Sequence, residues 1–119
     1  MNYLIHQLLN SKEINLIKKE LEKCSHQDWE DGKKTAGSHA SIIKNNLQLN
    51  RNTEVSKNNA QLITKKILSS QLIRSFTLAK RIHGIMFTKS SNNMHYGRHI
   101  DNPYMSSGRS DLSLSLIHI

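Results

Sequence analysis

The far end of the chain places the tightest limit on its architecture. Leu112, Leu114 and Leu116 alternate with Ser113 and Ser115, the period-2 signature of a strand with one apolar and one polar side. Such a strand satisfies its backbone only through neighbours, so a sheet is expected around it. The front of the chain follows another period. A helix is expected after an Asn10 or Ser11 cap, with Glu13 three residues after Asn10, running to about Cys24. Ile14, Ile17 and Leu21 form its apolar stripe, and Cys24 falls on the same face as a buried small hydrophobe. A second helix is expected over roughly Thr53 to Ser69, striped by Val55, Asn59, Leu62 and Lys66 and shadowed by Ala60, Ile63 and Ile67.

The intervening segments read as shorter elements. A strand is expected near Tyr3 to Leu8, and a polar, Gly-containing stretch from Ser25 to Ser38 leads to strand character near His39 to Lys44. Strands around Gly84 should occupy about Phe76 to Thr88, followed by a strand over Met94 to Asp101 and a loop holding Pro103 and Gly108. Repeats and linkers are absent from the pattern. The expected class is α+β, with residues 1–119 as one domain.

Composition narrows the setting. The single Cys24 cannot form an internal disulfide, no charged start precedes an apolar run, and no run reaches a membrane-spanning length. Cytoplasmic localisation without membrane association is the expectation. A net charge of +8 raises the reading of a basic nucleic-acid-binding module. Its distribution argues otherwise, because Lys18-Lys19, Lys33-Lys34, Lys65-Lys66 and Lys80-Arg81 are scattered pairs and aromatic residues for base stacking are few. No specific nucleic-acid partner is expected, and most lysines should be solvated.

His99-Ile100-Asp101, reached through Tyr96-Gly97-Arg98, carries the chemistry. On a strand, residues i and i+2 share a face, so an imidazole and a carboxylate would point together. Those are the harder donors suited to Fe(II), and with a second His they form the facial triad that leaves positions open for co-substrate and O2. His95 lies four residues before His99, but on a strand the two would sit about 13 Å apart, too far to chelate together. His95 is therefore expected to line the site or face solvent.

Four blocks extend this motif. Trp29-Glu30-Asp31-Gly32-Lys33-Lys34-Thr35-Ala36-Gly37 and Ile43-Lys44-Asn45-Asn46-Leu47-Gln48-Leu49 precede Tyr96-Gly97-Arg98-His99-Ile100-Asp101-Asn102 and Gly108-Arg109-Ser110-Asp111-Leu112-Ser113. In this order they resemble the bacterial PKHD-type hydroxylases, prolyl and lysyl hydroxylase-like members of the Fe(II)- and 2-oxoglutarate-dependent dioxygenase superfamily. The resemblance implies a double-stranded β-helix, or jelly-roll, with N-terminal helices packed on the sheet. It implies iron held by His99 and Asp101 together with a distal His, and 2-oxoglutarate anchored by a later Arg. Tyr96 would serve behind the ligands, and ascorbate is a candidate helper that keeps iron reduced. The substrate would be peptidyl or a small molecule.

The chain departs from that pattern in two places. Relatives tend to carry an Arg-Tyr pair and glycines where this chain has Lys89-Ser90-Ser91-Asn92-Asn93, so a co-substrate contact is lost. His118 stands seventeen residues beyond Asp101 and, by the family layout, is not the distal ligand. A jelly-roll of this kind needs roughly 200 residues to close two sheets, so the chain is expected to be an N-terminal part, stopped within its barrel and inactive alone. The alternative is a catalytically inactive fragment without independent function. Under the same resemblance Lys44-Asn45-Asn46 could rim a substrate site, although such residues at a strand end are more often turn-forming and solvated. Arg109 and Asp111 are expected to form a buried or semi-buried pair bracing the loop that carries Asp101, a structural rather than metal-binding role.

Overall fold

Asn10 sets where the first helix begins. Its side chain accepts from the Glu13 N–H at 2.8 Å, and the Glu13 carboxylate accepts from the Asn10 N–H at 3.1 Å, a capping box that satisfies two otherwise orphaned amides. The computed structural model describes residues 3–105 and 107–116, so His118 lies outside the described residues. Helix α1 spans Ser11–Glu22. Asn10→Ala is expected to lower stability by about 1 kcal/mol, and a urea midpoint unchanged by the substitution would contradict the cap's contribution.

Helix α1 packs on α3, Glu54–Ser69. Leu9, Ile17 and Ile63 form the buried centre, surrounded by Leu8, Ile14, Leu21, Ile67, Ile85 and Phe87. The inward face of α3 is Ser56, Asn59 and Ile63, whereas Leu62 is exposed and Lys66 reaches Glu13 at 2.9 Å. The buried face is thus rotated: of the expected stripe of Val55, Asn59, Leu62 and Lys66 only Asn59 is buried, joined by Ser56 and by Ile63 from the flanking row. Asn59 makes this rotation tolerable, because its Nδ2 donates to Glu20 Oε2 at 2.7 Å and to the Val55 carbonyl at 2.8 Å. The Lys66 hydrogen bond, with the Asn10 amide, holds the Glu13 carboxyl below its ordinary range. Cys24 is half-buried, with its thiol donating to the Glu20 carbonyl at 3.5 Å, and burial pushes that thiol up, away from the reactive thiolate.

The strands make three separate antiparallel sheets among the described residues. Strand β1, Trp29–Asp31, pairs with β3, Leu47–Leu49, and β3 pairs with β4, Thr88–Lys89. Strand β2, Lys44–Asn45, pairs with β5, His95–Tyr96, and β6, Tyr104–Met105, pairs with β7, Gly108–Arg109. Two of the sequence blocks quoted above are folded on each other here, with Trp29 opposite Leu49 and Asp31 opposite Leu47. The Gly32 N–H donates to the Asn46 carbonyl at 2.8 Å, carrying the contact past the strand into a short 3-10 turn over Gly32–Thr35.

Several expected elements differ. Residues 3–8 form no strand, and Leu8 and Leu9 instead serve the helical core. The stretch expected as a strand near His39 to Lys44 is helix α2, Ser38–Ile43, because the Ser41 amide donates to the Gly37 carbonyl and its hydroxyl to the Ser38 carbonyl. These local bonds win over the β-branched Ile42 and Ile43 at its end. Helix α4, Gln71–Thr77, absorbs Phe76: the Ser70 hydroxyl caps it by accepting from the Ile73 amide, and Ile73 is buried. Of the expected 76–88 strands only Thr88 pairs, as the first residue of β4, although the Phe87 carbonyl also accepts from the Leu49 N–H at 2.9 Å. The strand over Met94 to Asp101 shrinks to β5, and 112–116 is unpaired among the described residues, leaving Leu112, Leu114 and Leu116 exposed. Alternation describes a preference, but a strand exists only where another backbone completes its ladder.

Candidate metal centre

The β2–β5 ladder delivers the site. Lys44 lies opposite Tyr96 and Asn45 opposite His95, and the Gly97 N–H extends the pairing by donating to the Ile43 carbonyl at 2.9 Å. Asn93, in the left-handed region at φ 67°, turns the chain into β5, where its carbonyl accepts from Asn45 Nδ2 at 3.3 Å. Beyond Gly97 the backbone leaves the ladder. His99 and Asp101 therefore do not share a strand face as expected, and Ile100 between them is 93% exposed.

The two side chains meet nonetheless. His99 Nε2 stands 3.1 Å from Asp101 Oδ1. The outer atom of each is separately held, His99 Nδ1 by the Gly97 carbonyl at 2.8 Å and Asp101 Oδ2 by the Ser113 hydroxyl at 2.8 Å. Because a carbonyl only accepts, Nδ1 must carry the proton in that bond, which turns the Nε2 lone pair toward the carboxylate. Two lone pairs facing each other need a cation between them, either a proton or a metal ion.

The arrangement fits a metal. Two donors each about 2.1 Å from one ion and at right angles to it lie about 3.0 Å apart, close to the spacing here. The imidazole is oriented through its other nitrogen by a backbone carbonyl, the usual device for fixing a ligand tautomer. Among the described residues no third His, Cys, Asp or Glu joins the pair to make a cluster of three.

The remaining sequence candidates fall around this pair. The Tyr96 ring stacks on the His99 imidazole with centroids 3.7 Å apart and planes 3° from parallel, and burial with the Asp101 charge pushes its phenol up. His95 is exposed on β5. Arg109 Nε and Asp111 Oδ1 do pair at 2.6 Å, but both side chains are about two-thirds exposed, so the bridge is a surface one rather than the buried brace expected. Such pairs contribute about 0–1 kcal/mol. The hairpin is instead tied by His83, whose Nε2 donates to the Arg109 carbonyl at 2.9 Å and whose Nδ1 accepts from Ser107 Oγ at 2.7 Å.

Lys44 is the residue whose setting departs furthest from the solvated turn expected of it. It is 6% exposed, its ammonium lies 5.0 Å from the Tyr96 centroid, and it donates to Thr35 Oγ1 at 3.4 Å. The Thr35 hydroxyl in turn donates a hydrogen bond to Gln48 Oε1 at 2.6 Å. Burial lowers the Lys44 pKa, with the Asp31 charge opposing. Lys44, Asn46 and Gln48 are all buried, a polar face at period two along β2 and β3. That alternation was present in the sequence between Ile43, Leu47 and Leu49. Ser113 was also missed as a partner of Asp101, since Ser in an apolar alternation reads as the solvent side.

An α+β chain that brings an imidazole and a carboxylate to one point defines a candidate metal-binding protein. Comparison with known proteins is more specific. A PKHD-type hydroxylase of Prochlorococcus marinus strain MIT 9301 is 86% identical over 116 residues, covering 98% of this chain and 52% of the relative. Relatives of the same description from strains MIT 9312 and MIT 9515 are 65% and 62% identical, again over 98% of this chain and 52% of each relative. No family model matches the chain, and no solved structure matches it significantly. By sequence the chain is similar to the PKHD-type hydroxylases, and it spans about half the length of the curated relatives it matches.

Proposed function

We propose that the chain supplies two iron ligands, His99 and Asp101, to an Fe(II)- and 2-oxoglutarate-dependent hydroxylase of jelly-roll architecture. The observation that carries this reading is the facing pair of donors, Nε2 and Oδ1, each held from behind by a separate partner. Bound iron would supply the coupling of 2-oxoglutarate decarboxylation to hydroxylation of a substrate C–H bond, one oxygen atom of O2 entering each product. The chain's own residues do the arranging: the Gly97 carbonyl fixes the imidazole tautomer, the Ser113 hydroxyl leaves one carboxylate oxygen free, and Tyr96 holds the ring plane. A distal His and an Arg for the co-substrate would come from the further length that the relatives possess. The substrate class, peptidyl or small molecule, and the use of ascorbate belong to this proposal as the family's usual chemistry.

The test is metal binding read at His99. With histidine rings isotopically labelled, Mn(II) is expected to broaden the His99 signal before those of the other six histidines. His99→Ala and Asp101→Ala should each weaken the site by more than about 10-fold, since even outer partners of a ligand are worth roughly 10–100-fold. Equal broadening of several histidines would sink the assignment. With Fe(II) and 2-oxoglutarate, the chain alone is expected to yield no succinate above iron in buffer, and turnover would refute the placing of the co-substrate anchor elsewhere.

A further inference from the structure

We infer that Lys44 is a positioning residue for His99, acting through the Tyr96 ring; this rests on reading His99 as a metal ligand. Lys44 and Tyr96 are direct partners across the β2–β5 ladder, and paired residues of that kind project to one face. The ammonium sits 5.0 Å from the Tyr96 centroid, and the Tyr96 ring lies flat against the imidazole at 3.7 Å. A cation attracted to the ring restrains the ring, and the restrained ring sets the plane in which His99 presents Nε2.

The burial of Lys44 is what singles it out. An ammonium removed from water is costly unless a carboxylate or a full set of acceptors compensates. Among the described residues Lys44 makes no ion pair, and its hydrogen bond to Thr35 is long at 3.4 Å. The Asp31 charge offsets part of that cost without pairing with the ammonium, and the Tyr96 face lies within cation–π reach of it. The ring against which His99 stacks is the group the geometry offers. The β-ladder fixes the backbone up to Gly97, where the pairing stops, and the stack continues the restraint to His99 across that gap.

Two readouts separate this inference from the iron reading. A ring proton held over a tyrosine face resonates upfield, so the His99 signal of the metal-free chain should stand upfield of the other histidines. Lys44→Leu, which lacks both the charge and a thioether that could replace it against the ring, is expected to move that signal into the ordinary histidine range and to raise the Mn(II) concentration needed for broadening by about 10-fold. Lys44→Arg should restore both, as should Tyr96→Phe, whereas Tyr96→Leu should reproduce the loss at a residue exposed enough to leave the fold intact. An upfield His99 signal that persists in Lys44→Leu or in Tyr96→Leu, with unchanged Mn(II) response, would overturn the inference. If Lys44→Leu does not fold, Lys44→Gln, which keeps a polar head to meet Thr35 but lacks the charge, decides by the same criterion. Failure of Mn(II) to select His99 in any variant would overturn the iron reading, while the ring shift still decides whether Lys44 orients the imidazole.

Discussion

Replacing Ile63 with alanine is expected to leave much of the population unfolded under mild denaturant. Ile63 is 2% exposed at the meeting of α1 and α3, where Leu9 and Ile17 are its buried neighbours. Truncating a fully buried isoleucine costs about 2–5 kcal/mol in transfer and cavity terms. A domain of this size has total stability on the order of 5–15 kcal/mol, with a small core placing it toward the lower end. The urea midpoint should fall by roughly 1–3 M at an ordinary slope for a small domain. Leu16→Ala, on the outer face of α1 and 55% exposed, should change stability by less than about 0.5 kcal/mol. Equal effects of the two substitutions would show that the α1–α3 contact is not the main source of stability.

Gly97→Ala is expected to disturb stability and metal binding together. A methyl group added at Gly97 would stand 2.9 Å from Ile43 Cβ and 3.2 Å from Ile43 Cδ1. The first of those atoms is fixed to the backbone, so the β2–β5 pairing must open to admit it. Overpacking of this kind costs about 1–3 kcal/mol. The Gly97 carbonyl also holds His99 Nδ1, so its displacement should lower Mn(II) affinity by about 10-fold. Gly37→Ala serves as the comparison, because nothing lies within 4 Å of the position a Cβ would take there. Unchanged Mn(II) affinity in Gly97→Ala would detach the carbonyl from the control of His99.

What could be read from the sequence were the features whose causes are local. The Asn10 cap, and the spans of α1 and α3, follow from side chains a few residues from the amides they serve. The sequence singles out His99 and Asp101 as a pair, and their side chains do meet, held by the Gly97 carbonyl and Ser113 rather than by a shared strand face. The misread segments depend on distant partners. Thr88–Lys89 is strand because Leu47–Leu49 lies beside it, and 112–116 carries the same alternation without a ladder among the described residues. At Ser38–Ile43 and Gln71–Thr77, hydroxyl and backbone bonds within one turn outweigh the β preference of Ile, Thr and Phe. Lys44 was read as solvated because a charge at a strand end usually is, and its burial depends on segments distant in sequence, β5 on one side and the Gly32–Thr35 turn on the other.

That closure joins residues fifty positions apart, Asn45 to His95, through two residue pairs and one further amide bond. The β3–β4 pairing already brings Leu47 beside Lys89, so β2 and β5 add only a short further closure, through a ladder of two residue pairs. The helical pair joins residues about as distant, Ile17 with Ile63, but around a buried apolar centre, whereas β2 and β5 meet through few bonds with β5 exposed, which places the donor site toward the more easily opened end of the fold. A ligand that binds only the closed ladder would draw the chain toward that state by mass action. If His99 and Asp101 hold iron as proposed, metal affinity would in part measure how often residues 44 and 96 find each other.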